Sequence, residues 1–298
     1  MKKIFLITAA IVMTFLLCSC LPKKRSSSAK LKIVVSTPVL YDWTRVIIDQ
    51  NYNEKLSLSL IMKNGLQYHE YTPSSPEVSS IKNAELFIFM GGKTEQWARE
   101  LGFPEQSENP IRKTLCLMDY AEASDEHFFL SPSTASLCCQ KICEEVCLLD
   151  PANSALYKKN YDSYKAQLEL LETTIKLTAK KAVNTTFIIC DRFPYKFIFD
   201  DYGINYICKY PQCPATQKPD TETLKWLGSK IDEYAAGEIY VSETAEKQLS
   251  KKIIGYSKNP KCDTIVLDSM ESLTLSQLFS GKNYLDISRN NLTSLRLN

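Results

Sequence analysis

Short apolar runs alternate with longer amphipathic segments along most of this chain. The strands predicted in the first half are residues 30–36, 55–62, 84–90 and 114–118, and the helices are 40–48, 95–101 and 132–148. Strands that alternate with helices in this way are typical of a parallel sheet in the α/β class. The pattern therefore predicts one βα lobe before residue 150.

One much longer helical pattern follows. Between residues 153 and 182 the apolar positions are spaced four and three apart, at Tyr157, Tyr161, Tyr164, Leu168, Leu171, Ile175, Thr178 and Ala182. Such spacing produces one mostly apolar stripe on a helix. A helix of about 28 residues is roughly 42 Å long at 1.5 Å per residue, too long for a simple crossover within one small sheet. We therefore expect a rigid rod that connects two lobes.

After the rod the alternation resumes. The segments predicted there are residues 185–191, 195–202, 206–209, 222–234, 238–242, 247–256 and 264–268. The chain is thus predicted to be an α/β protein of two βα lobes with parallel sheets, at 32–150 and 183–298, joined by a long helix at 151–182.

The N-terminal segment has the features of an export signal. Lys2 and Lys3 precede an apolar run at residues 4–17, which is shorter than a membrane-spanning helix. The following Leu17-Cys18-Ser19-Cys20 resembles a lipobox, which implies removal of residues 1–19 and a lipid on Cys20. Residues 20–31 would then be a flexible tether. The alternative is an uncleaved anchor with two ordinary cysteines.

Charge is distributed unevenly. The first 32 residues hold seven of the 36 basic residues and no acidic residue, so the chain from Ile33 onward has a net charge of −5. This argues against a nucleic-acid-binding protein, which usually has a basic excess. A basic leader before an acidic body suits a membrane-tethered protein that handles cations.

The chain contains 11 cysteines but no CxxC pair, which argues against a zinc ribbon or a thioredoxin-like site. Cys208 and Cys213 are close enough in sequence to suggest a disulfide. Cys139, Cys143 and Cys147 recur every four residues on one face of a predicted helix, and we expect them to be small buried apolar residues.

The candidate metal ligands follow predicted strands. His69 comes after strand 55–62, and His127 lies in the loop after strand 114–118. In the second half, Cys190, Glu243 and Asp268 lie at the ends of three strands. Ligand sites in open α/β sheets gather beyond the carboxyl ends of strands, and imidazole, carboxylate and thiolate groups suit a first-row divalent metal.

These motifs resemble those of the solute-binding lipoproteins of zinc and manganese ABC importers (cluster A-I). The resemblance rests on the lipobox, the stretch Gly-Leu-Gln-Tyr-His-Glu-Tyr-Thr-Pro-Ser at 65–74, and Glu-His-Phe-Phe-Leu-Ser at 126–131. It implies that His69 and His127 are metal ligands in a cleft between two lobes. It also implies that the long helix is the rigid connector of that family.

The resemblance extends to the second lobe with one departure. Residues 190–195, Cys-Asp-Arg-Phe-Pro-Tyr, are similar to a family motif that begins with His or Glu, so the third ligand falls on Cys190. Asp268 is aligned with a carboxylate ligand of the family. Glu243 is then a reserve ligand or a residue that holds the ligands in place.

The resemblance implies a receptor on the outer face of a membrane, anchored by its lipid, that passes one metal ion to an ABC permease and ATPase. We expect a monomer that binds zinc in preference to manganese, because a thiolate favours zinc. If Glu243 replaces Cys190, manganese becomes more favourable. A surface adhesin without a transport role is the alternative. An enzyme is not expected, since the chain has no G-x-S-x-G motif and both histidines are assigned to the metal.

Overall fold

The computed structural model describes residues 30–49, 54–63, 71–102, 113–121, 123, 125–182, 185–210 and 218–295. These residues form two four-stranded sheets in which every strand pair is parallel. The two sheets have equivalent strand orders, β2-β1-β3-β4 and β6-β5-β7-β8. The predicted α/β class with two parallel sheets is confirmed.

The first lobe contains a sheet covered by helices on both faces. Its strands are β1 (Leu31–Val35), β2 (Leu56–Leu60), β3 (Leu86–Phe89) and β4 (Lys113–Cys116), and its helices are α1 (Pro38–Ile48), α2 (Ser75–Lys82), α3 (Gln96–Glu100), α4 (Met118–Ala121) and α5 (Pro132–Leu149). Successive strand residues point to opposite faces, so Ile33 and Val35 join the cluster under α1 and α5, and Val34 joins the cluster under α2 and α3.

The second lobe repeats this arrangement. Its strands are β5 (Phe187–Arg192), β6 (Tyr206–Tyr210), β7 (Glu238–Ser242) and β8 (Asp263–Leu267), and its helices are α7 (Lys196–Asp201), α8 (Thr221–Glu233), α9 (Leu249–Ile254), α10 (Leu275–Phe279) and α11 (Tyr284–Ser294). Phe187 and Ile189 face the core that contains α7 and α11, whereas Ile188 and Cys190 face α8 and α9.

A single long helix joins the lobes. This helix, α6 (Ser154–Lys181), buries the predicted side chains from Tyr157 to Ile175, and after them it buries Ala179 instead of the predicted Thr178. They belong to one apolar cluster that includes residues of both lobes, such as Ile33 and Phe187. The rod is therefore part of a continuous core, which limits how far one lobe can move against the other.

Local sequence signals explain where several helices begin. Thr37 accepts a hydrogen bond from the backbone N of Leu40 and precedes Pro38, which suits the first turn of α1. Ser74 and Glu77 form a capping box at the start of α2. Four helices were not predicted, namely α2, α4, α10 and α11. Three of these are only one to two turns long, too short for a clear apolar period.

The eight cysteines that the structure describes are all free thiols. Cys139 and Cys143 are buried against the core, as expected for small apolar residues, and Cys147 is half-buried. Cys208 is one of these free thiols, which contradicts the suggested disulfide with Cys213. The limits proposed for the tether, the lobes and the connecting segment remain predictions. Within the described ranges, no helix combines the length and apolar character needed to cross a bilayer.

Candidate metal centre

His127 lies in the first lobe, in the loop that follows β4 and α4, and its side chain is almost fully buried. Asp125 Oδ1 accepts a hydrogen bond from the backbone N of His127 at 2.7 Å. Glu126 Oε2 accepts hydrogen bonds from the backbone N and the hydroxyl of Thr94, at 3.0 and 2.8 Å. The loop is thus fixed on both sides of His127, which holds the imidazole in one orientation.

Two carboxylates flank this imidazole. Nδ1 lies 2.9 Å from Asp125 Oδ1, and Nε2 lies 2.9 Å from Oε1 of Glu271 in the second lobe. Burial raises the pKa of Asp125, but hydrogen bonds from the ring and backbone of His127 outweigh burial and lower it overall. A carboxylate on one ring nitrogen orients a histidine so that the other nitrogen can bind a metal ion. Asp125 therefore leaves Nε2 directed at the boundary between the lobes.

Glu271 is the carboxylate that the sequence analysis missed. It follows β8 by four residues, and only 3% of it is exposed to solvent. The signal that selected Asp268, an acidic residue beyond the end of a strand, applies equally to Glu271 three residues later. The choice between them depends on the path of the turn at residues 268–272, which the local sequence pattern does not specify.

Arg192, at the end of β5, contacts the other oxygen of Glu271. Its Nη2 lies 2.5 Å from Glu271 Oε2, and it also donates to the hydroxyl of Thr244 after β7. Both partners of the ion pair are mostly buried, with side-chain exposures of 14% and 2%. Glu271 is therefore held between an imidazole from the first lobe and a guanidinium from the second.

Glu243 supports the turn that carries Glu271. Its carboxylate accepts hydrogen bonds from the backbone N of Ser269 at 2.9 Å, from the Ser269 hydroxyl at 2.8 Å and from the backbone N of Ser272 at 3.4 Å. Burial, followed by the nearby charges of Asp268 and Glu271, raises its pKa despite these hydrogen bonds. The turn includes Met270 at a φ of 65°, a conformation rare outside glycine. The hydrogen bonds of Glu243 hold this turn, and its role as a reserve ligand or as a residue that holds the ligands in place stays a prediction.

Asp268 has partners of its own on the side of α11. Its Oδ2 lies 2.6 Å from Lys282 Nζ, its Oδ1 accepts a hydrogen bond from the backbone N of Met270 at 2.8 Å, and its backbone N donates to Asn291 Oδ1 at 2.9 Å. Among the described hydrogen bonds, none joins Asp268 to His127. Glu271 is the second-lobe carboxylate that contacts His127, because the turn brings position 271 to the boundary between the lobes.

Cys190 does not share this site in the structure. The residue is 1% exposed and packs in the apolar cluster with Leu227 and Ile253, on the face of β5 covered by α8 and α9. Its thiol donates weakly to the carbonyl of Ile188 at 3.8 Å, and burial raises its pKa well above the usual value. The strand pleat places this side chain in that cluster, where burial favours the neutral thiol over the thiolate that a metal ion needs, and the role of Cys190 as third ligand stays a prediction.

Two expected functional residues lie outside the described residues, namely His69 and the lipidation candidate Cys20. The described chain stops at Lys63 and resumes at Tyr71, on either side of the His69 segment. The carbonyl of Lys63 accepts a hydrogen bond at 3.1 Å from the backbone N of Leu275 in the second lobe. Lys63, the last described residue before the His69 segment, therefore contacts the second lobe.

The described side chains supply nitrogen and oxygen donors from both lobes. In the described part of the chain, no three His, Cys, Asp or Glu side chains are arranged to hold a metal ion. One physical reason is that both ring nitrogens of His127 are engaged by carboxylates, and Arg192 occupies the second oxygen of Glu271. Binding of a metal ion between His127 and Glu271 would need this hydrogen bond to open.

Comparison with known proteins identifies similar sequences and folds. The sequence is 24% identical to the "High-affinity zinc uptake system protein ZnuA" of Bacillus subtilis, over 91% of this chain and 88% of that protein. It is 24% identical to the "Zinc-binding lipoprotein AdcA" of Streptococcus pneumoniae, over 99% of this chain. The match spans only 61% of AdcA, so AdcA is a substantially longer protein.

Among solved structures, the metal-dependent lipoprotein YcdH of Bacillus subtilis has the same fold, with a TM-score of 0.74 and 24% identity, and the match covers 89% of this chain and 98% of YcdH. The family described as "Zinc-uptake complex component A periplasmic" matches residues 33–297, which include both sheets and the long helix. The chain belongs to this family of periplasmic components of zinc-uptake complexes.

Proposed function

We propose that this protein captures a divalent transition metal ion outside the cytoplasm, zinc in preference to manganese, and delivers it to an ABC importer. The observation that supports this most directly is the buried contact between His127 Nε2 and Glu271 Oε1, at 2.9 Å. It pairs an oriented imidazole from one lobe with a carboxylate from the other. A site that draws its ligands from both lobes can be opened and closed by small movements between them.

The proposed ligands are His127, Glu271 and His69, with a water molecule in the fourth position. Two histidines and one glutamate are a known zinc ligand set, and three protein ligands leave a position open for exchange. Glu243 and Asp268 hold the turn of Glu271 in this proposal, and Cys190 stays in the apolar cluster. The metal ion would replace the hydrogen bond between His127 and Glu271.

The proposed ligand set contains no thiolate, so the preference for zinc over manganese needs a different argument. Imidazole suits zinc, whereas carboxylate, carbonyl and water ligands suit manganese, so two histidines with one carboxylate favour zinc. Membership of a zinc-uptake family supports the same choice. Because the imidazole and the carboxylate must both be deprotonated to bind, the affinity should fall in acid.

Delivery requires partners on other chains. We propose that a permease and an ATPase complete the importer, that the receptor acts as a monomer, and that a lipid on Cys20 tethers it to the membrane through residues 20–31. Cys20→Ser should move the protein from the membrane fraction to the soluble fraction. If the variant remains in the membrane, residues 4–17 form an uncleaved anchor instead.

The first test is metal content and affinity. The mature protein, purified without chelator, should contain about one zinc ion per chain by elemental analysis, and manganese should compete poorly in a titration. His127→Ala should weaken zinc binding more than tenfold, which corresponds to more than about 1.4 kcal/mol. Gln140→Ala, an exposed change on α5, is the control and should bind as the wild type does.

Two results would contradict the proposal. One is a wild-type protein that binds neither zinc nor manganese, as expected for an adhesin without a transport role. The other is a His127→Ala variant that binds zinc with unchanged affinity, because the metal would then lie elsewhere.

A further inference from the structure

Arg192 is a positive charge built into the proposed metal site. Its guanidinium lies 2.5 Å from Glu271 Oε2, on the opposite side of that carboxylate from His127, and it also contacts Thr244. Glu271 is 2% exposed at its side chain, so solvent contributes little to the stability of its charge. The guanidinium is therefore a close positive partner of Glu271 within the buried site.

The backbone of β5 explains how an arginine reaches this place. The register between β5 and β6 shifts between Ile189 and Arg192. Such irregularities re-aim side chains at the end of a strand. Cys190 points into the apolar cluster, and Asp191 accepts hydrogen bonds from the backbone N and hydroxyl of Ser242, at 3.1 and 2.6 Å. The shift leaves Arg192 as the β5 side chain that reaches Glu271.

A metal ion at His127 and Glu271 would meet this charge at close range. An ion bound to Glu271 Oε1 and a guanidinium on Oε2 of the same carboxylate would repel each other, and burial weakens the screening of that repulsion by water. The guanidinium cannot relieve the repulsion by losing its proton, because arginine stays charged in proteins. It must either move away or remain and reduce the affinity for the ion.

We propose that Arg192 is a built-in competitor of the metal ion for Glu271, which stabilises the metal-free site and lowers the affinity so that the ion can be released. This proposal rests on the proposed function, since it assumes that Glu271 is a ligand. Arg192 is in this sense an affinity-determining residue that does not itself bind the ion.

The test compares neutral and charged replacements of Arg192 in the full mature protein. Arg192→Met and Arg192→Gln remove the charge and should bind zinc at least tenfold more tightly than the wild type, measured by competition with a chromophoric chelator. Arg192→Lys keeps a charge and should tighten binding far less. Without metal, the neutral variants should melt at a lower temperature, since Glu271 loses its partner, and zinc should raise their melting temperature more than it raises that of the wild type.

Arg45→Met is the matched control. Arg45 also forms an ion pair with a buried carboxylate, Asp42, at 2.7 Å, but it lies on α1 away from the site. Its removal should lower the melting temperature without tightening zinc binding. If Arg45→Met also binds zinc more tightly, the gain in affinity of the Arg192 variants comes from general loosening of the fold, and the proposal is overturned.

The outcomes separate this proposal from the proposed function. If the wild type binds zinc and both neutral variants bind it equally or more weakly, Arg192 positions Glu271 instead of competing for it, and only this proposal fails. If the wild type binds neither zinc nor manganese, the proposed function fails, and the role of Arg192 fails with it. Should Arg192→Met not fold, Arg192→Gln, which keeps a hydrogen-bonding group, decides the matter.

Discussion

The two lobes have equivalent strand orders, but they contribute opposite chemistry to the boundary between them. The first lobe presents the imidazole of His127, which Asp125 orients. The second presents the carboxylate of Glu271, which Arg192 neutralises. In both lobes these groups follow the carboxyl ends of strands, as the topology of a parallel sheet requires.

The difference between the lobes shows what strand topology leaves open. The strand topology places the ends of β5 and β8 at the boundary between the lobes, but the strand pleat and the register decide which side chain points there. In the first lobe the structure places the predicted histidine at position 127 at the boundary. In the second lobe the boundary receives Glu271 and Arg192, whereas Asp268 and Cys190 were expected there.

The largest expected effect comes from removing the contribution of the second lobe. Glu271→Gln should weaken zinc binding at least 100-fold, about 2.7 kcal/mol, because it removes the proposed carboxylate ligand and its charge. Isothermal titration calorimetry would measure this. Glu169→Gln, an exposed change on α6, should bind normally. An unchanged affinity for Glu271→Gln would return the carboxylate role to Asp268.

Each lobe contains a buried carboxylate, so the two lobes can also be compared through the pH dependence of the unfolding free energy. Burial raises the pKa of Glu95 in the first lobe to about 7 and that of Asp191 in the second to about 6. Each pKa exceeds the unfolded value, so the native state holds the proton more tightly and loses stability as pH rises from the unfolded to the folded pKa. For Glu95 this loss would be about 3 kcal/mol between roughly pH 4.5 and 7.

Replacement of Glu95 should remove most of this dependence. Denaturant unfolding of Glu95→Gln should show a smaller change in unfolding free energy between pH 5 and pH 8 than the wild type shows. Asp191→Asn should reduce the pH dependence of the unfolding free energy in a lower pH range, because the pKa of Asp191 is lower than that of Glu95. Identical pH dependence in the wild type and Glu95→Gln would mean that Glu95 is ionised in the native protein without cost.

A smaller effect is expected from the residue that supports Glu271. Glu243→Gln replaces one acceptor oxygen by an amide that cannot accept from Ser269, so the turn at residues 268–272 should loosen. Changes to residues that hold metal ligands typically reduce affinity by about 10- to 100-fold, and we expect the lower end here. Competition with a chelator would measure it, with the exposed Glu233→Gln as control. A loss as large as that of Glu271→Gln would make Glu243 a direct ligand.

Cys190→Ala should leave the affinity for zinc unchanged. This variant tests whether the β5 side chain that faces α8 and α9 has a part in metal binding. The thiol packs in the apolar cluster, so its loss should lower stability modestly and leave zinc binding within twofold of the wild type. Chelator competition and thermal unfolding of the same sample would separate the two effects. A tenfold loss of affinity would reinstate Cys190 as a ligand and would require a different path for β5.

Much of the architecture could be predicted from local patterns. The buried stripe from Tyr157 to Ala179 follows the spacing of the sequence, since a long helix against a core must place apolar residues every three or four positions. The strands were found for a similar reason, because strands buried on both faces are continuous apolar runs. The helices α2, α4 and α10 were missed because so few turns give no distinct period.

The sequence by itself determined the α/β class, the two lobes, the connecting helix and the candidacy of His127, because each depends on residues close together in the chain. Tertiary structure decided the partners of that histidine. Glu271 is 144 residues away in sequence and reaches His127 through the turn that Glu243 holds. Arg192 reaches Glu271 through a register shift in β5. Contacts of this kind depend on the relative placement of the two lobes and on strand register, and no local pattern of residues encodes either.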